Sequence, residues 1–237
     1  MNDPNQLSYP QARSVKYFFH RQALHLLSLL VLVPLAWWLA GPHLGEGTWQ
    51  GLTASQWFWA SVILSIVHQV VVWIVFRLQL GWASLTRVFG RADLVIWGVI
   101  FLPLFGSRIV TLVGLAQAAQ NTLALSKTLA TGLAVVLLIP AVYTLWSVLR
   151  YFGLTRAMVG DHFRTRYREM PLENRGVFKV SGNAMYAFGF LLLWAIALLN
   201  RSTPALVVAG FQHLYIWVHY VCTEKPDMEI IYKNTTS

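Results

Sequence analysis

Charged side chains are scarce in this sequence. Asp, Glu, Lys and Arg together make up 11% of the 237 residues, whereas an ordinary soluble domain carries about 25%. Hydrophobic residues make up 57% of the chain. This composition excludes an ordinary soluble domain and indicates an integral membrane protein.

Cysteine is almost absent as well. Cys222 is the single cysteine, so an intramolecular disulfide is excluded, and one thiolate cannot by itself form a metal site. The sequence also lacks an internal repeat, a phosphate-binding glycine loop and a nucleophile motif. We therefore predict no metal centre, and the chemistry has to be sought in other polar residues.

Negative charge is scarcer than positive charge, which leaves a formal net charge of +9 and a pI near 10.0. Binding to nucleic acid would require a dense basic face. Here the cations lie in short clusters beside apolar runs. We therefore predict no nucleic-acid partner and attribute the basic residues to membrane topology, since positive segments remain in the cytoplasm.

Long apolar runs dominate what is present, and about 20 apolar residues suffice to cross a bilayer. We predict an all-α polytopic membrane protein with about six transmembrane helices and a C-terminal helical hairpin. The first run continues through Pro34 without a small-residue cleavage site, so it is interpreted as a retained span. The third contains Pro103, and we expect it to kink or end early, with Arg108 extending to the interface. The six segments are Ala23–Ala40, Trp57–Phe76, Leu94–Leu115, Leu129–Leu149, Ala184–Leu199 and Ala205–Val221.

Basic residues alternate between the connections, as six spans would require. The first connection, at 41–56, contains no Lys or Arg, and the third connection contains only Lys127. We therefore predict that both termini and the long linker are cytoplasmic. We divide the chain into residues 1–149, with four transmembrane helices, and residues 150–237, with the linker, the hairpin and an acidic tail. The other connections contain Arg13, Lys16 and Arg21; Arg77, Arg87 and Arg91; and Arg150, Arg156, Arg164, Arg166, Arg168, Arg175 and Lys179.

Polar and aromatic residues form stripes on the two helices of the hairpin. Helical spacing places four residues on one face of the last helix, namely His213, Trp217, Tyr220 and Glu224. A comparable stripe on the preceding helix consists of Asn183, Tyr186, Phe190 and Trp194. We expect these faces to form the walls of one pocket. An isolated polar pair in the second span, His68 and Gln69, is assigned a structural role.

At these residues the chain resembles the integral-membrane methyltransferases that include isoprenylcysteine carboxyl methyltransferases and phospholipid N-methyltransferases. That family carries Arg-His-Pro-x-Tyr at the start of a helical hairpin and an acidic element, often Glu-Glu, after it. The segments GVFKVSGNAMYAFG and TEKPDMEIIYKN occupy these places, and the resemblance covers roughly Leu149 to Asn234. Tyr186 matches the motif tyrosine, Gly189 the following small residue, Glu224 the first acidic residue and Tyr232 an aromatic residue of the tail. The chain departs from the motif where Gly182, Asn183 and Ala184 replace Arg-His-Pro and where Lys225 replaces the second Glu.

The resemblance implies S-adenosylmethionine as the cofactor, bound at the cytoplasmic membrane face, and a lipid or prenylated small-molecule acceptor that enters from the bilayer. Candidate bases for an amine acceptor are His162, His219 and Glu224, and Arg156 or Arg164 is a candidate for binding a lipid phosphate or carboxylate. The predicted cofactor-binding residues are Asn183, Tyr186, Gly189, His213, Tyr220, Glu224 and Tyr232.

Several functions remain open at this point. A phospholipid amine is the favoured acceptor, with isoprenylcysteine-type carboxyl methylation as the alternative. The missing Arg-His-Pro also allows a catalytically inactive relative that binds a lipid or a partner. A transporter or a haem protein is a third class, although His68 and His213 on two distant helices are weak evidence for haem ligands. The sequence makes no prediction of oligomeric state.

Overall fold

The protein is a bundle of α-helices in the computed structural model, which describes residues 12–232. Five helical segments of this range are long and apolar enough to cross a membrane: Val15–His43, Ala54–Trp82, Ser84–Ala118, Lys127–Phe152 and Thr203–Ile231. A shorter apolar helix covers Met185–Leu199. These helices confirm the predicted all-α polytopic membrane fold.

The helices are α1 (Val15–Phe18), α2 (Gln22–Ala40), α3 (Ala54–Trp82), α4 (Ser84–Phe89), α5 (Asp93–Ala118), α6 (Lys127–Ser147), α7 (Leu154–Ala157), α8 (Thr165–Arg168), α9 (Leu191–Leu199), α10 (Thr203–His219) and α11 (Lys225–Ile231). Short antiparallel strands β1 (Thr48–Trp49) and β2 (Leu52–Thr53) form a small hairpin before α3. Three π-helical turns occur at Val148–Phe152, Met185–Gly189 and Tyr220–Glu224.

Helix α10 lies at the centre of the bundle. It packs against α2, α3, α5 and α9, while α9 in turn packs against α5 and α6. Small residues such as Ala197, Ala205 and Ala209 are fully buried where these helices meet. The absence of bulky side chains there allows the helices to approach closely, as membrane helices commonly do. Outward-facing residues such as Leu30 and Trp38 are exposed, as expected for a surface that faces lipid.

The two ends of the bundle differ in character. At one end, the Tyr17 hydroxyl donates to Asp227 Oδ1 over 2.6 Å and Arg21 donates to the Val221 carbonyl over 3.0 Å. The linker after α6 reaches the same end. At the other end, the backbone N–H of Asn121 donates to the carbonyl of Asn200 over 3.1 Å. The start and the end of the described chain therefore lie at the same end of the bundle.

The expectation that Arg108 extends to the interface is wrong. Helix α5 continues through Pro103, and Arg108 is 2% exposed. Its Nε donates to Gln212 Oε1 over 3.0 Å, and one of its terminal nitrogens lies 3.4 Å from His68 Nδ1. The guanidinium also lies 5.0 Å from the ring centroid of Phe190. Polar partners on α3 and α10 thus hold the side chain inside the bundle, where the sequence could not show them.

Candidate functional site

The two polar stripes of the hairpin face each other. Tyr186 donates a short hydrogen bond from its hydroxyl to Glu224 Oε2. Farther along the helices, Trp194 Nε1 donates to His213 Nδ1 over 3.2 Å, and the Phe190 ring stacks on His213 at 5.6 Å. The two faces therefore meet along their length.

Aromatic rings surround the Tyr186–Glu224 pair. Ring centroids are 5.9 Å apart for Tyr186 and Trp217, 5.6 Å for Tyr186 and Tyr220, and 5.8 Å for Trp217 and Tyr220. Each of these three residues is only partly buried. The result is a carboxylate beside three aromatic rings at the polar end of the hairpin.

Tyr186 and Glu224 both lie on π-helical turns. Tyr186 belongs to the turn Met185–Gly189, and Glu224 ends the turn Tyr220–Glu224. A π turn inserts an extra residue into the α-helical repeat and is common at functional sites. It changes the angle at which the following side chains leave the helix. The two turns thereby set the meeting of Tyr186 with Glu224.

His219 lies next to the same carboxylate. Its Nε2 is 3.5 Å from Glu224 Oε1, and the side chain is fully buried. Within the described part of the chain, neither ring nitrogen of His219 has a hydrogen-bond partner. Buried polar atoms are usually hydrogen-bonded, so this imidazole is a candidate for contact with a bound molecule.

His162 occupies a different environment, between two carboxylates. Its Nδ1 lies 3.1 Å from Asp161 Oδ1 and its Nε2 lies 3.3 Å from Asp227 Oδ2. Burial by itself would lower the pKa of His162, but the hydrogen bonds to both carboxylates raise it from 6.5 to about 9. Burial would raise the pKa of Asp161, yet contact with His162 holds that pKa below its usual value. His162 is therefore protonated at neutral pH.

Asp227 also links this cluster to α3, because its Oδ1 lies 3.0 Å from Arg77 Nε. Tyr232 joins the cluster from the end of α11, where its hydroxyl donates to Asp161 Oδ2 over 3.0 Å. The linker is thus tied to α3 and α11 through buried charges. Asp161, Asp227 and Arg77 were missed as candidates, although the Gly-Asp-His run at 160–162 was a usable signal for a paired acid and histidine.

The remaining candidates are placed around these two clusters. Arg156 donates to the carbonyls of Pro171 and Met170 over 3.0 and 3.4 Å, so it holds the fold of the linker. The Asn183 carbonyl accepts from the backbone N–H of Tyr186 over 3.0 Å, at the start of the π turn. Gly189 ends that turn, and a Cβ built there would lie 3.8 Å from Thr144 Cγ2. The structure therefore brings together Tyr186, His219, Tyr220 and Glu224, with Asn183 and Gly189 at the edges and His213 farther along the hairpin.

Comparison with known proteins gives one family. No curated protein and no solved structure matches the chain. Residues 129–235 match the family model described as phospholipid methyltransferase. The match includes α6 from Leu129 onward, the linker, both hairpin helices and every predicted site residue. Residues 129–235 are therefore similar to the phospholipid methyltransferase family, and that family implies a membrane methyltransferase of the isoprenylcysteine or phospholipid type.

Proposed function

We propose that the protein transfers a methyl group from S-adenosylmethionine to the amine of a phospholipid. The observation that carries this proposal is the contact between Tyr186 and Glu224. It joins the two helices of the family-matched hairpin and places one carboxylate beside three aromatic rings. Donor and acceptor would meet at this end of the hairpin.

The residues at this place fit the chemical groups of the cofactor. Aromatic faces attract cations at distances within about 6 Å of the ring, which suits the sulfonium group. A carboxylate such as Glu224 accepts hydrogen bonds from an ammonium or from ribose hydroxyls. Bound S-adenosylmethionine supplies an electrophilic methyl group. The protein has to align the acceptor with that group and exclude water.

An amine acceptor adds a requirement that distinguishes the two buried histidines. An ammonium of intrinsic pKa near 10 has to lose a proton before its nitrogen can attack. His219 lies beside Glu224 with both ring nitrogens free of hydrogen bonds in the described structure. His162 is already protonated and held by two carboxylates. We assign the base to His219, with Glu224 stabilising the imidazolium, and a supporting role to His162.

Methyl transfer from radiolabelled S-adenosylmethionine in nanodiscs tests the proposal. With phosphatidylethanolamine as acceptor, the label is expected in methylated head groups that resist mild alkali. With a prenylated cysteine as the acceptor in a second reaction, volatile methanol after mild alkali would identify an ester and the carboxyl methyltransferase alternative. Binding of the cofactor is measured separately by isothermal titration. If the protein neither binds S-adenosylmethionine nor transfers methyl groups, the remaining interpretation is a catalytically inactive relative. The presence of Gly182, Asn183 and Ala184 in place of Arg-His-Pro favours the same interpretation.

A further inference from the structure

A groove runs along the outer face of α5 on the side where the linker folds back. Its volume is about 730 Å³. The wall is a single helical stripe of Val95, Val99 and Leu102, which are 67%, 67% and 42% exposed. Gly98 beside this stripe leaves room for Met158 of the linker. The exposed stripe is apolar, so this part of the groove suits hydrocarbon.

Arginine residues line the polar end of the groove. Arg91, Arg164 and Arg166 lie there together with Tyr167. Arg164 is neutralised by Asp93, which its two terminal nitrogens contact at 2.5 and 2.9 Å. Arg166 donates to the Tyr167 hydroxyl over 2.6 Å, and this partner is neutral. Among the described residues, neither Arg91 nor Arg166 has a carboxylate partner within 4.0 Å, so two positive charges remain uncompensated.

The dimensions of the groove agree with one leaflet of a bilayer. Arg91 and Pro103 both line it, and their separation of twelve residues corresponds to about 18 Å of helix at about 1.5 Å per residue. Half of a hydrocarbon core is about 15 Å thick. A lipid whose head group lies at Arg91 would therefore place its acyl chain along the stripe of α5.

We propose that this groove binds an anionic phospholipid at a site separate from the candidate active site. The head-group phosphate would lie between Arg91 and Arg166. None of the residues that line the groove belongs to the candidate active site, and Trp97 and Phe76 pack in one apolar cluster with Met158 of the lining. Charge complementarity selects an anionic lipid over a zwitterionic one, because two uncompensated arginines attract net negative charge. The proposal does not depend on the methyltransferase reaction.

Native mass spectrometry of the delipidated full-length protein tests this site. Phosphatidylglycerol is compared with phosphatidylcholine of the same acyl chains, and with glycerol phosphate as a soluble anion. The double variant Arg91→Gln and Arg166→Gln is expected to bind phosphatidylglycerol about 25-fold more weakly, at about fivefold for each arginine. The control variant Arg87→Gln and Lys179→Gln removes two exposed cations outside the groove and should bind as the unchanged protein does.

The outcome also distinguishes the source of the anion. Equal affinity for phosphatidylglycerol and phosphatidylcholine, or equal losses in the double and control variants, would overturn the proposal. Glycerol phosphate binding as tightly as the lipid would do the same, because the apolar stripe would then contribute nothing. Should the double variant fail to fold, Leu102→Trp fills the groove without touching the arginines. It should weaken lipid binding while affinity for S-adenosylmethionine stays unchanged.

Discussion

Glu224 is the residue on which the candidate site depends most. It contacts Tyr186, which lies on the preceding helix of the hairpin, and His219, which lies one turn earlier on the same helix as Glu224. Its side chain is 11% exposed, so little water competes for it. A buried carboxylate with these neighbours is well suited to bind a cationic or hydroxyl group of a ligand.

Glu224→Gln is expected to weaken binding of S-adenosylmethionine by about 1.5–3 kcal/mol, since a charge-assisted hydrogen bond is replaced by a neutral one. Isothermal titration in nanodiscs measures the affinity, and circular dichroism should show unchanged helical content. Glu229→Gln is the matched control, because Glu229 is exposed on α11. Equal affinities of the Glu224 variant and the unchanged protein would remove Glu224 from the site.

Gly189 allows a test of close approach between backbone and cofactor. A Cβ at this position meets no protein atom closer than Thr144 Cγ2 at 3.8 Å, and alanine restricts the unfolded chain more than glycine does. Gly189→Ala should therefore leave thermal stability equal or slightly higher. Cofactor affinity is expected to fall if the methyl group occupies the binding space.

Gly132→Ala provides the control for this substitution. Gly132 lies on α6, where an added Cβ meets nothing within 4 Å. The affinity of the Gly132→Ala variant for S-adenosylmethionine should match that of the unchanged protein. A Gly189→Ala protein that also binds normally would show that Gly189 does not contact the cofactor.

At the scale of whole elements, the linker is fixed by the charge cluster around His162. Asp161 belongs to the linker, Asp227 to α11 and Arg77 to α3. The Phe76 ring lies 4.6 Å from the imidazole and shields it from water. Three elements that are distant in sequence are therefore held by one protonated histidine and its two carboxylates.

This cluster predicts a pH dependence of stability. The folded-state pKa of His162, about 9, lies above its unfolded value of about 6.5. The stabilisation is therefore fully present below pH 6.5 and is lost as the pH rises through 9. The loss amounts to about 3 kcal/mol at about 1.4 kcal/mol per pKa unit. Thermal unfolding between pH 6.5 and 9.5 should show a falling melting temperature.

The His162→Gln variant supplies the comparison for that experiment. It is less stable at pH 6.5, and its melting temperature should change little between pH 6.5 and 9.5. Both proteins carry Cys222→Ser, so that the single thiol is absent from the comparison. If the melting temperature of the His162→Gln variant falls with pH as steeply as that of the protein that retains His162, His162 is not the group responsible.

At the scale of the whole molecule, the basic residues collect at one end of the bundle. This end contains α1, α4, the linker and α11, with Tyr17 bonded to Asp227. The opposite end contains the β hairpin and the loops after α5 and α9. From this asymmetry we predict that the basic end lies in the cytoplasm. The terminal residues 1–11 and 233–237 lie outside the described structure.

Cysteine labelling on a Cys222→Ser background measures this orientation. Arg166→Cys at the basic end should react with an impermeant maleimide only after the cells are permeabilised. Glu46→Cys, exposed near the β hairpin at the opposite end, should react in intact cells. The reverse pattern would invert the predicted topology, and labelling of both positions from outside would contradict a membrane-spanning bundle.

The sequence predicted the helical class and the hairpin because apolar runs and alternating basic connections are local properties of the chain. It also identified the pair of stripes that meet at Tyr186 and Glu224, since helical spacing fixes which residues share a face. The fifth span was predicted at Ala184–Leu199, and the shorter apolar helix Met185–Leu199 lies there.

Other features were decided only by the tertiary structure. Arg108 is held inside the bundle by Gln212 and His68. These two partners come from helices that are distant in sequence, so the sequence could not reveal the contacts. The bonding of His162 between Asp161 and Asp227 depends on how the linker folds back onto α11. The groove beside Val99 exists because the linker packs against only part of α5. Sequence spacing specifies the faces of single helices, whereas contacts between distant segments depend on the packing of the whole chain.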